Sequence, residues 1–118
     1  MADDRTSYSY QDGISGWILF QFDRPRFIRE VVIYNRVNCC IQRLFPFEIH
    51  VIDEDGQIKK CQDKSFTIGD PEIPTEKTNP IHIECGNLHG ISVKLAGMSG
   101  DALNICEIEI FATVIFGY

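Results

Sequence analysis

The residues best equipped for chemistry stand together in one short run, Asn35-Arg36-Val37-Asn38-Cys39-Cys40-Ile41-Gln42-Arg43-Leu44. Adjacent alpha carbons are about 3.8 Å apart, below the usual span across a disulfide, so Cys39 and Cys40 can bond to each other only through a tight eight-membered ring. Such a ring is rigid and presents sulfur as a compact apolar plate. Arg36 and Arg43 flank it, and a loop folding back at the cysteine pair brings both guanidinium groups to one mouth, each with several fixed donors. Donors beside an apolar plate suit a monosaccharide, whose hydroxyl oxygens accept hydrogen bonds while its C–H groups pack on the plate. The local chemistry alone leaves the plainer readings open: two small buried side chains and two solvated arginines.

Other groupings are weaker. His82, Cys85 and His89, with Cys61 as a fourth group, have the residue types of a zinc site. Their spacing matches no finger pattern, and His82 and Cys85 fall on opposite faces of a strand. Asp53-Glu54-Asp55 could supply paired carboxylates, but Gly56 follows, which makes it a hairpin tip. There is no Gly-x-Ser-x-Gly elbow, phosphate-cradling glycine loop or dinucleotide fingerprint, and no histidine lies close in sequence to Cys39-Cys40 to make either cysteine a nucleophile. A vicinal disulfide that is easily reduced leaves a redox-sensing role open. The expectation is a protein that makes and breaks no bond.

The elements that must position the run are strands. Alternation or short β-branched and aromatic runs mark Trp17 to Phe22, Phe27 to Tyr34, Phe47 to Asp53, Ser65 to Ile68, Ile81 to Cys85, Ile91 to Leu95 and Ile105 to Phe111. Turn signals separate them at Asp23-Arg24-Pro25, Glu54-Asp55-Gly56, Gly69-Asp70-Pro71, Thr78-Asn79-Pro80 and Gly97 to Gly100. No window shows helical spacing. Many short strands without crossover helices predict an all-β antiparallel sandwich or barrel. In Ile105 to Ile110 the alternation sets Cys106, Ile108 and Ile110 on one face and Glu107 and Glu109 on the other, which predicts a wet or metal-bearing glutamate face. Gly69 to Pro80 reads as one surface loop.

A length of 118 residues predicts one domain, residues 1–118. A net charge of -6 argues against nucleic acid or an anionic membrane as partner. No apolar run approaches the roughly twenty residues of a membrane span, and Met1 to Arg5 carries no secretion signal. Five cysteines in so short a chain nevertheless point to an oxidising, extracellular setting.

The run Asn-Arg-x-Asn-Cys-Cys-x-x-Arg-Leu resembles the signature of the F-type lectins, fucose-binding domains of the galactose-binding, discoidin-like class, and so implies an all-β antiparallel sandwich of jelly-roll type. Further pieces follow in that family's order: Trp17, the apolar run Val31 to Tyr34, Phe47 to Val51, Cys61, Cys85, Gly90 to Leu95 and Leu103 to Ile110, so that the resemblance covers about 17–111. It implies terminal L-fucose or a related sugar on fucosylated glycans as ligand. Arg36 and Arg43 then act as donors, Asn38 stands where the family has Asp, Cys39-Cys40 forms a vicinal disulfide against the ring, and Cys61-Cys85 a structural one. That pairing also counts against zinc. The resemblance further implies a calcium ion held partly by Cys106 and Glu107, although the remaining oxygen ligands are missing. The family's upstream Cys and His are also missing, so the expectation is an incomplete pocket, an unpaired Cys106, and a chain shortened or diverged over residues 1–16. The alternative is a discoidin-like interaction or structural domain that has lost the sugar. Homo-oligomers are expected if single-site affinity is weak.

Overall fold

The computed structural model describes residues 3–9, 16–35, 41–73, 79–100 and 105–115. Six strands build it: β1 (Asp3–Ser9), β2 (Trp17–Asn35), β3 (Phe47–Ile52), β4 (Ile58–Lys60), β5 (Ile81–Gly97) and β6 (Ile105–Val114). All pairings are antiparallel, and the order across the sheet is β1-β6-β2-β5-β3-β4.

β2 and β5 are too long to stay in one layer. The first part of β2, Trp17 to Gln21, pairs with β5 from Ala96 to Ser92, and β3 lies on the other side of that stretch of β5. The later part of β2 pairs with β5 from Gly90 to Ile81 on one side and with β6 on the other. Irregularities between Gln21 and Arg26 and between Ile28 and Glu30 mark where the strands bend from one layer into the next. One face of the folded sheet then closes on itself as an all-β sandwich. Ile18 and Phe20 meet Ile28, Val31 and Ile33 of the same strand, together with Phe47, Ile49, Val51, Val93, Leu95, Ile108 and Ile110, in a single core. Gly90 shows how close the bend runs: a Cβ there would collide with Val51 Cγ1 and lie 3.1 Å from the Ile52 carbonyl oxygen.

Several sequence expectations need correction. The turn at Asp23-Arg24-Pro25 is instead the bend inside β2; Pro25, buried, is tolerated because the ladder is interrupted there. Ser65 to Ile68 is not a strand: Phe66 makes a single bridge to Phe47, and its buried ring holds the segment down. β4 lacked any apolar alternation because all three of its residues are exposed on an edge. β1 lies in the stretch read as divergent and supplies the edge beside β6. The hairpin tip at Asp53 to Gly56 stands as expected, with Asp53 Oδ1 accepting from the backbone N–H of Asp55 and Gln57. No helix among the described residues is long and apolar enough to cross a membrane.

The glutamate face is the largest departure. Glu109 is 2% exposed. β6 is an interior strand with β1 and β2 on either side, so even its outward residues are crowded by cross-strand neighbours. Glu109 stays polar by accepting a 2.8 Å hydrogen bond from Tyr34 Oη.

Candidate functional site

The chemistry-bearing run begins where β2 ends and closes in a 3-10 turn, Ile41–Leu44. Arg36, Asn38, Cys39 and Cys40 lie outside the described residues; their flanks do not. On the entry side, Asn35 is buried and its backbone N–H donates to Asn79 Oδ1 at 2.9 Å, tying the end of β2 to the chain that leads into β5. On the exit side, Leu44 is 1% exposed and Phe45 packs its ring 5.6 Å from that of Phe47.

Arg43 sits in the 3-10 turn with its side chain exposed. Its carbonyl oxygen accepts from Ser99 Oγ at 3.3 Å, and the Met98 backbone N–H donates to the Pro46 carbonyl at 2.8 Å. The turn after β5 is thereby fastened along the far side of Arg43. Gly97 N–H donates to the Gly16 carbonyl, which brings the start of β2 to the same end of the sandwich. Trp17 there is 50% exposed with Lys94 Nζ 5.1 Å from its ring centroid, and Met98 is 47% exposed. An exposed guanidinium on a fixed turn near half-exposed apolar side chains can hold a ligand with a hydroxylated edge and an apolar face. Sequence reading singled out Arg43 but assigned no role to Asn79, Met98 or Ser99. Their only signal was membership of two turn-forming stretches.

Cys61 and Cys85 form the disulfide expected of them, with alpha carbons 4.6 Å apart. The zinc reading falls with it, since those sulfurs are committed to each other. His82 Nδ1 faces Glu30 at 3.4 Å and His89 Nε2 faces Glu54 at 3.0 Å. Glu107 is partly exposed on β6, opposite Tyr34 and Ser9, and no group of three or more metal-ligating side chains gathers among the described residues. These residues do not make the oxygen-rich cage a calcium ion requires.

Elsewhere, Glu48 on the outward face of β3 gathers a polar cluster. Its carboxylate accepts from Ser65 Oγ at 2.8 Å and Lys60 Nζ at 3.1 Å and lies 2.7 Å from His50 Nε2. The hydrogen bond with His50, then that from Ser65, holds its pKa down to about 2 against the opposing effect of burial. The cluster pins the Cys61 to Ile73 segment against β3 and is structural.

No protein-family profile matches the sequence, and no curated protein matches it. Solved structures do match the fold. A fucose binding module from Streptococcus pneumoniae superposes with a TM-score of 0.66 at 19% identity, over 91% of this chain and 69% of that one. The lectin binding domain of lectinolysin, solved as a histidine mutant complexed with Lewis b, gives 0.67 at 18% identity, over 93% and 72%. An F-lectin (fucolectin) from striped bass (Morone saxatilis) serum gives 0.66 at 20% identity, over 94% of this chain and 36% of that one. The chain therefore has the fold of the fucose-binding lectin modules.

Proposed function

We propose that the chain is a non-catalytic, extracellular carbohydrate-binding domain that recognises terminal L-fucose, or a closely related sugar, on fucosylated glycans. Arg36 and Arg43 donate to the ring hydroxyls, Asn38 contributes a further polar contact, and the Cys39-Cys40 disulfide packs against the apolar face. The reading rests chiefly on the exposed Arg43 guanidinium, set on a turn fixed by the Pro46, Ser99 and Leu44 contacts at the end of the sandwich to which the cysteine run leads. The likeness in fold to fucose-binding modules supports it. No residue is asked to transfer a proton or attack a bond; recognition is by hydrogen bonding and apolar contact alone.

Calorimetric titration of the oxidised protein with L-fucose tests this, alongside an Arg36→Ala, Arg43→Ala double variant shown to be folded. Binding by the parent and loss of at least about tenfold in affinity by the variant is the expected result, since each guanidinium bond is a charge-assisted one. A second reading, a protein-interaction domain that has lost the sugar, is favoured by Asn38, which cannot pair with the arginines as a carboxylate would. A folded parent that ignores fucose at about 10 mM would establish that reading in its place.

A further inference from the structure

β4 is the last strand of the sheet, and it pairs with β3 over three residues, His50 to Ile52. Its own three residues, Ile58, Lys59 and Lys60, are all exposed, Ile58 at 59%. An edge strand that buries nothing and is held by so short a ladder opens at little cost. The chain on either side is exposed or strained. Before β4 comes the exposed run from Glu54 to Gln57, and after the buried Cys61 come Gln62 and Asp63, both in the left-handed region at φ 60° and 54°.

This edge also carries a chemical label. Lys59 and Lys60 stand together, and Lys60 is extended at φ -90° and ψ 138°. Serine proteases take a substrate as an extended strand added to an exposed sheet edge of their own, and an acidic residue in the first side-chain pocket selects lysine or arginine. Other basic residues are less well offered. Arg24 precedes Pro25, and the imide bond to proline resists such enzymes. Arg43 is followed by the buried Leu44. Lys64 Nζ lies 2.9 Å from Glu72 Oε1 and 3.4 Å from Asp70 Oδ2. Arg29 and Lys94 belong to stretches of β2 and β5 with a strand paired on each side.

We propose that the peptide bond between Lys59 and Lys60 is a site of limited proteolysis by trypsin-like serine proteases in the folded chain. Water adds across the bond: its hydroxyl goes to the Lys59 carbonyl carbon and its hydrogen to the Lys60 nitrogen, leaving a new carboxylate and a new amine. The two pieces, residues 1–59 and 60–118, stay together through the sheet, because β2 and β3 of the first pair with β5 of the second, and β1 and β2 pair with β6. Just past the cut, the Cys61–Cys85 disulfide fastens the new end to β5. The core is left whole, since β4 lies outside it. The site is independent of the fucose reading.

The test is limited digestion of the oxidised chain with trypsin under native conditions, read by mass spectrometry. The first products should be 1–59 and 60–118, which should run as one particle of parent size in gel filtration and separate in reducing denaturant. Lys59→Gln leaves the bond from Lys60 to Glu48 in place and should slow the cut at least about tenfold, and Lys59→Arg should restore it. A first cut at any other bond, or a cut that persists unchanged in Lys59→Gln, would overturn the proposal. So would early cleavage at Arg29 and Lys94 alongside it, which reports global unfolding, and a chain that trypsin leaves intact.

Discussion

The two ends of this sandwich hold their polar groups by different means. At one end the described flanks of the cysteine run are held by single contacts: the last residue of β2, Asn35, by Asn79, and the 3-10 turn Ile41–Leu44 by the burial of Leu44 and Phe45 and by hydrogen bonds from Met98 and Ser99 to Pro46 and Arg43. At the other end the strands themselves bend, and Arg29 and Asn87 are placed by register slips in the ladders. A loop anchored by a few hydrogen bonds can lose one and still fold. A bend is part of the core, and disturbing it disturbs everything packed beneath.

Variants sharpen that difference. The largest effect is expected from joint Cys61→Ser and Cys85→Ser substitution, which frees β5 at Cys85 and the segment after β4: about 3 kcal/mol of stability, given the 24-residue separation, read from urea unfolding. Next comes Gly90→Ala. Its methyl has no room beside Val51 and the Ile52 backbone, and the loss should be about 2 kcal/mol, with fucose affinity of the folded protein unchanged. Should Gly90→Ala weaken fucose binding instead, the two ends are coupled and the comparison fails.

Glu48 tests whether the outward face of β3 belongs to either end. Glu48→Gln leaves three donors short of a carboxylate and should cost about 1–2 kcal/mol near neutral pH. Because folding lowers the carboxyl pKa from 4.5 to about 2, its contribution is complete above about pH 4.5 and is lost as pH falls through about 2. The stability gap between parent and variant should therefore close over that interval and not elsewhere, measured as thermal midpoint against pH. The smallest effect is expected at the loop. Asn79→Ala removes the acceptor for the Asn35 N–H, which should cost about 1 kcal/mol and weaken fucose binding, two changes that Gly90→Ala should not combine.

The same contrast explains what was legible in the sequence. The Arg-Cys-Cys-Arg run stands out in the sequence because its residue types cluster directly after an apolar strand; of its proposed binding residues only Arg43 lies among the described ones, and it is exposed there. The Cys61-Cys85 bond was legible through family resemblance. The bend end was not: Arg29 looks like any charged residue in the alternation of Ile28-Arg29-Glu30-Val31, and Asp23-Arg24-Pro25 spells a turn although β2 runs on through it, pairing with β5 before and after the interruption. Whether a residue is skipped depends on two partners at once, which no single stretch of sequence records. Glu109 failed for a related reason, since alternation assigns it a face but cannot say that β1 and β2 will flank it.

The most direct test of the central claim, that the anchored loop is the sugar site, is amide chemical-shift mapping of L-fucose on the oxidised chain. The account predicts saturable movement of residues 41–46 and 97–100, the Arg43 turn and the segment hydrogen-bonded to it, with the bend end still. Fucose-induced movement confined to the bend end, or none anywhere in a folded protein, would contradict it.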